Sequence, residues 1–302
     1  MSARKVLLAG HFSTIGDIES LDIVRQWVRE LDLTFDVAPF GESVRRAIPD
    51  SIEPGRADPN DYSHVVMICG PLWEQQLAEL HVDLEKFRHC VRIGINLTLI
   101  TAVRSWNPFD VVLERDSDRM TRPDLTLLSA AQGVPVVVGR CMVRKQSSYA
   151  GREQHERARA LFDELINRHD FAALDVDTRW YRAGNGLRTA AHFTAALGRL
   201  DLLLTNRLHG MVYALKAGVP VVAIDAIEGG AKLSAQARVL GWPQCIGIES
   251  ATPERLDDAV TWCFSAPAAR VIENCRERGR RGLGTLKNEF IVAMKTGVAQ
   301  TA

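Results

Sequence analysis

The 302-residue chain carries no surplus of charge, because Lys plus Arg (37) equals Asp plus Glu (37). A balanced chain feels no general pull toward nucleic acid or an anionic membrane, so neither is expected as a partner and any anion site has to be built locally. Long apolar runs are also missing. No stretch approaches the roughly 20 residues needed to span a bilayer, so no integral membrane segment is expected. The apolar run after Lys5 is too short for a signal-peptide core, which predicts a cytoplasmic protein. The six cysteines (Cys69, Cys90, Cys141, Cys245, Cys263, Cys275) form no CxxC pair and have no histidine at ligand spacing. Buried free thiols are therefore expected, with no metal site and no cofactor. The sequence lacks GxGxxG and GxxxxGK[ST] loops, which argues against a dinucleotide dehydrogenase and a P-loop kinase. Neither Ser13 nor Cys69 lies in a nucleophile elbow.

What is present is alternation. The length suits two domains, and from Arg4 onward short β-rich runs alternate with helical patterns, the signature of an α/β class with mainly parallel sheets. Strands are predicted at Val6 to Ala9, Leu33 to Pro39, His64 to Cys69, Val91 to Asn96 and Asp110 to Leu113. Helices are predicted from near Asp17 and over Leu72 to Phe87. A second series starts at Val134, with helices over Arg152 to Asn167, Leu187 to Leu197, Pro253 to Phe264 and Ala268 to Lys295. The expected division is 1–130 and 131–302, two Rossmann-like domains facing across a cleft, where ligands of open α/β sheets bind. The run Arg276, Arg278, Arg280, Arg281 is interleaved with Glu273 and Glu277 and reads as a solvated face.

The segment from Asp201 to Asp225 carries the most chemistry. It reads as one βαβ unit: a buried strand to Thr205, a helix over Leu208 to Ala217, Gly218 as the helix stop and a strand over Val221 to Ile224. Arg207 and His209 then fall between the carboxyl end of a parallel strand and the amino end of a helix, where free N–H groups and the helix dipole favour a bound anion. Arginine offers a planar fork, and histidine titrates near neutral pH. Gly210 is expected to let a ligand approach the helix. The rival reading is a capping Asn206 with a structural ion pair at Arg207.

Thr205-Asn-Arg-Leu-His-Gly-Met, followed by a small-residue helix, Gly218-Val-Pro and a strand ending at Asp225, resembles the Arg-Leu-His segment of the polysaccharide pyruvyl transferases. Thr14-Ile-Gly-Asp-Ile-Glu19 is similar to that family's amino-terminal loop, with Thr14 where Asn is usual. Cys69-Gly-Pro-Leu is similar to its glycine-rich turn, with a single glycine, and Glu114-Arg-Asp-Ser-Asp-Arg119 to its Arg-Asp-x-x-Ser element. Lys232 lies where the family commonly has a lysine.

The resemblance implies a GT-B-like pair of domains and transfer of a pyruvyl group from phosphoenolpyruvate to a sugar diol, giving a cyclic ketal. The donor would lie on the C-terminal side and the acceptor, a saccharide or lipid-linked saccharide, on the N-terminal side. Arg207, Leu208, Gly210 and Lys232 would bind substrate, with Arg140 or Arg144 as a second cation. His209 would donate a proton or contact phosphate. Asp17 and Glu19 would meet acceptor hydroxyls, Asp17 as a base, or would only cap and complement their helix. Asp116 and Arg119 are expected to pair across a turn. Two rival functions stay open, a nucleotide-sugar glycosyltransferase on the same scaffold and a catalytically silent glycan-binding relative; self-association is left open too.

Overall fold

The computed structural model describes residues 5–79, 83–128, 133–143, 149–181 and 186–299. The chain divides into two compact units, Met1–Gln132 and Gly133–Ala302, each α/β with a parallel main sheet.

The first unit runs β1 (Lys5–Gly10), α1 (Ile15–Glu30), β2 (Thr34–Pro39), α2 (Glu42–Ala47), β3 (Tyr62–Ile68), β4 (Pro71–Leu72), α3 (Glu74–Glu79), β5 (Val91–Ile95), β6 (Thr98–Leu99) and β7 (Val111–Leu113). Its five-stranded sheet has the order β2-β1-β3-β5-β7, and β4 and β6 form a separate ribbon. Alternation along β1 explains the two-sided core. Val6 and Leu8 pack with Leu21, Val24 and Val28 of α1, whereas Leu7 and Ala9 join Met67, Leu97 and Phe109 on the other face, as a pleated strand buried on both sides requires.

The helix expected over Leu72 to Phe87 is not continuous. α3 ends at Glu79, and Asp83, with extended dihedrals, accepts a hydrogen bond from Glu85 N at the start of a separate 3₁₀ turn over Leu84–Phe87. An aspartate side chain that bonds the backbone two residues on favours a new turn over continued helix. The pairing expected within 114–119 also differs. Arg119 and Arg122 both bind Glu114, at 3.0 and 3.1 Å, while Asp116 accepts from Thr98 Oγ1 and Arg115 Nε. Glu114 is fully buried and so recruits the arginines, since an unpaired buried carboxylate is the costlier arrangement.

The second unit runs β8 (Val137–Cys141), α4 (His155–His169), β9 (Ala172–Asp175), α5 (Ala190–Leu197), β10 (Leu202–Thr205), α6 (Leu208–Ala217), β11 (Val221–Asp225), α7 (Lys232–Leu240), β12 (Cys245–Gly247), α8 (Pro253–Cys263) and α9 (Ala266–Ala299). The sheet order is β12-β11-β10-β8-β9. Leu202, Leu203 and Leu204 of β10 and Val221 to Ile224 of β11 have no exposed surface and form the centre of one continuous core. Gly218, at φ 82°, stops α6 in the left-handed conformation that glycine adopts without cost. Arg276 and Arg280 on α9 are exposed and pair with Glu273. Among the described residues no helix is long and apolar enough to cross a membrane.

Counting main-sheet strands within each unit, both follow the order 2-1-3-4-5. In that doubly wound order the chain leaves the first strand in one direction and the third in the other. The switch point is thus β1/β3 in the first unit and β8/β10 in the second, and ligands of such sheets bind beyond the carboxyl ends there.

Candidate functional site

Beyond the carboxyl ends of β8 and β10 the chain brings together Met142, Val143, Asn206, Arg207 and His209. Thr205 sets the turn out of β10. Its hydroxyl donates to Cys141 O at 2.7 Å and accepts from Arg207 N at 3.0 Å, which ties both strand ends together. Asn206 does not cap the helix. It is buried and its Oδ1 accepts from Val143 N at 2.6 Å, holding the turn after β8. The N-cap position falls to Arg207, which makes no side-chain cap. Among the described residues the first-turn N–H groups of α6 therefore have no side-chain acceptor, and the positive end of the helix dipole is open.

Arg207 is itself held from three sides. Nε donates to Met142 O at 2.9 Å, Nη1 donates to Thr178 Oγ1 at 3.0 Å, and Nη2 lies 3.7 Å from Asp177. The side chain is 16% exposed, so its remaining N–H groups are preorganised at an accessible edge, and a guanidinium has five in all. Asp177 does not neutralise it fully, because the same carboxylate accepts from Arg179 N, Nε and Nη2. His209, two residues on, is exposed and has no hydrogen-bond partner among the described residues. The arrangement suits a small anion with more than one oxygen, held by a fixed fork and a helix amino end beside a free imidazole.

Gly210 needs a different reason from the one expected. A Cβ there would collide with Thr205 Oγ1 and lie 3.2 Å from Cys141 Sγ. Its bareness lets α6 seat on β8 and β10 and faces the sheet, away from any ligand. Leu208 likewise packs its side chain against the core, so only its backbone remains for binding. Burial pushes the Cys141 thiol beneath them up to about 11, against the opposing charge of Arg207. It is a packing group and not a nucleophile.

Arg140 does not join Arg207. Adjacent strand residues point to opposite faces, and with Cys141 turned to α6, Arg140 reaches Asp163 on α4 and Asp175 on β9. Two carboxylates occupy its fork, and its pKa is raised first by the Asp175 hydrogen bonds. Arg144 lies outside the described residues. Lys232 is the exposed first residue of α7. Asp225, which precedes that helix, is spent on Ala231 N and Ser234 N, each at 2.8 Å.

His155, the first residue of α4, was not singled out from the sequence. It is buried, with Nδ1 3.5 Å from Asn206 Nδ2, and burial holds its pKa below the usual histidine range. Its ring packs beside Asn206.

In the first unit the equivalent helix amino end is closed. Thr14 and Asp17 form a capping box: Asp17 N donates to Thr14 Oγ1, and Asp17 Oδ2 accepts from Ser13 N, Thr14 N and Thr14 Oγ1 at 2.8–3.1 Å. Asp17 is thereby committed to the helix start and does not stand as a free base. Its negative charge on that turn also disfavours an anion. Glu19, one turn into α1, is half-buried with no partner among the described residues. Cys69 (φ 61°) and Gly70 (φ 86°) turn the chain from β3 into β4, and Asn96 Nδ2 reaches Ser20 Oγ and Cys69 Sγ, so this end of the first unit is polar and anchored.

Residues 139–226, which contain the end of β8, all of β10, α6 and β11 and every contact of Arg207 described above, match the polysaccharide pyruvyl transferase family. No curated protein matches the chain. Among solved structures it is similar to the glycotransferase of kitacinnamycin, at 13% identity over 97% of this chain and 99% of that one, with a TM-score of 0.35. It is also similar to Anabaena Alr3699/HepE in complex with UDP (11% identity, 97% and 100% covered, TM-score 0.33). A third is the Methanocaldococcus jannaschii UDP-GlcNAc 2-epimerase (9% identity, 87% and 93% covered, TM-score 0.30). Likenesses this distant say nothing about activity.

Proposed function

We propose that the chain is a transferase that moves a pyruvyl group from phosphoenolpyruvate to two hydroxyls of a saccharide, forming a cyclic ketal. The observation that carries this reading is the uncapped amino end of α6 with Arg207 fixed across it and His209 free beside it, inside the segment that matches the pyruvyl transferase family.

Phosphoenolpyruvate presents a carboxylate and a phosphate, and a site for it needs converging N–H donors in a protein without surplus charge. The Arg207 fork and the N–H groups of α6 supply them locally. Ketal formation begins with a proton delivered to the enol CH2 carbon, which becomes the methyl group and leaves a cation-like centre at the neighbouring carbon. One acceptor hydroxyl adds there and sheds its proton. The C–O bond to phosphate then breaks, phosphate departs with the electron pair, and the second hydroxyl adds and loses its own proton. The two protons released balance the one taken up by carbon and the one that leaves with phosphate. In this scheme His209 delivers the proton to carbon or steadies the phosphate as it leaves, while Arg207 holds the donor throughout. Lys232 is a further candidate for a donor contact.

The test is turnover. Phosphoenolpyruvate is incubated with the protein and a panel of saccharides, and inorganic phosphate and a ketal methyl resonance are followed together. Both appearing in equal amounts supports the reading. Turnover of nucleotide sugars with none from phosphoenolpyruvate would replace it with glycosyl transfer.

A further inference from the structure

Beside the anion site lies a pocket that neither the sequence nor the family match singles out. It is a cavity of about 260 Å³ lined by Asp177, Thr178, Trp180, Arg188, Phe193 and Tyr213, among others. Asp177 and Thr178 are also the side chains that hold Arg207, so the pocket and the anion site share a wall. Tyr213 follows His209 by four residues on α6, one helical turn on the same face. A group in the pocket therefore sits one turn from the imidazole and next to the guanidinium.

Its lining has two kinds of surface. Trp180 is 70% exposed at the mouth, and Phe193 meets Tyr213 edge-on at 5.4 Å. Both provide aromatic surface for C–H groups. Against these stand hydroxyls and charges. Thr178 Oγ1 accepts from Arg207, and Thr189 Oγ1 at the rim accepts from His192 N at 3.0 Å, so each hydroxyl keeps its own hydrogen to donate. The Asp177 carboxylate can accept, and the Tyr213 hydroxyl has no partner among the described residues. The volume lies just below the roughly 300–1,000 Å³ of sites for drug-sized ligands, which leaves room for one ring.

We infer that this pocket binds a pyranose ring of the acceptor, with Trp180 against its C–H face and Asp177, Thr178 and Tyr213 on its hydroxyls. The ligand class rests on the pyruvyl-transfer reading, which requires a diol next to the donor. Substrate choice is then set partly in the second unit, by the stretch after β9 and the start of α5. Asp177 already accepts three hydrogen bonds from Arg179, and its one remaining acceptor position, on Oδ1, is left for a sugar hydroxyl.

The experiment is saturation-transfer NMR on the intact protein with three probes, methyl β-D-galactopyranoside, methyl β-D-glucopyranoside and methyl α-D-mannopyranoside, and with uridine 5′-monophosphate as a fourth. Wild type, Trp180→Ala, Trp180→Phe and Tyr213→Phe are compared, and phosphoenolpyruvate is titrated into each in parallel. The expected result is transfer to at least one pyranoside, weakened about tenfold in Trp180→Ala by loss of one aromatic contact, restored in Trp180→Phe and reduced in Tyr213→Phe, with phosphoenolpyruvate binding unchanged. No transfer to any pyranoside in the wild type, transfer indifferent to Trp180, or Trp180-dependent transfer to the uridine nucleotide alone would each overturn the inference. Pyranoside transfer without any phosphoenolpyruvate binding would sink the donor reading and leave the pocket standing as a saccharide site.

Discussion

Arg207 and Thr178 are joined by a 3.0 Å hydrogen bond across 29 residues of sequence, and that bond holds the guanidinium of the α6 N-cap residue beside the segments that follow β8 and β9. Thr178 follows β9 at the edge of the sheet, Met142 follows β8 near its centre, and both grip the same side chain. The fork is thus positioned by the sheet and not by its own flexible stem, the condition for a preorganised anion site.

Gly210→Ala should destabilise the second unit. Helix propensity alone would favour alanine by about 1 kcal/mol, but the new methyl would collide with Thr205, and overpacking of a filled core costs roughly 1–3 kcal/mol. The net expectation is a lower Tm and a lower denaturant midpoint. An unchanged or raised midpoint would return Gly210 to the ligand side of the helix.

Asp17→Ala should cost stability and spare turnover. The change removes three hydrogen bonds at the start of α1, and loss of a cap costs about 1 kcal/mol. Thr14→Ala breaks the same box from the other side and should behave alike. Turnover abolished in Asp17→Ala but kept in Thr14→Ala would show that the carboxylate does chemistry.

Glu114→Gln should destabilise the first unit in a pH-dependent way. Burial alone would raise the Glu114 pKa, but hydrogen bonds from Arg119, its own backbone, Ser117 and Arg122 outweigh it and bring the value down to about 2, from 4.5. A folded-state pKa below the unfolded one contributes stability that is fully present above pH 4.5 and lost as pH falls through about 2. The shift corresponds to roughly 3 kcal/mol at neutral pH. Urea midpoints of wild type and variant should therefore differ most above pH 5 and converge on acidification. A constant gap would assign the loss to packing.

How far could the sequence be read? The β10–α6–β11 unit was legible end to end, because a buried apolar strand, a small-residue helix and Gly218 are local signals that packing did not override. The position of Arg207 between a strand end and a helix start followed from it, whereas the switch point needed the sheet order. The helix over Leu72 to Phe87 was misread because apolar spacing persists through Asp83, whose side chain starts a new turn. The partner of Arg119 was misread because nothing local reveals that Glu114 is buried. Arg140 was offered as a second cation beside Arg207, whereas alternation along β8 turns it to Asp163 and Asp175. The Trp180 pocket depends on three segments converging across the fold, which no local pattern in the sequence reveals.

His209→Ala should fold as the wild type does, since an exposed side chain without partners contributes within about 0.5 kcal/mol. Pyruvyl transfer should fall by about 10²–10⁴, the range for a lost general acid, at unchanged phosphoenolpyruvate affinity if its task is the proton. A variant with full turnover would remove His209 from the mechanism.

Pyruvyl transfer as proposed requires the amino end of α6, with Arg207, to bind phosphoenolpyruvate. Calorimetric titration of phosphoenolpyruvate into wild type and Arg207→Ala, with inorganic phosphate and uridine diphosphate as controls, addresses it directly. Saturable binding to the wild type is expected, with a loss of about 10- to 100-fold in the variant, the worth of one or two charge-assisted hydrogen bonds. Equal binding by both proteins, or wild-type preference for uridine diphosphate over phosphoenolpyruvate, would contradict it.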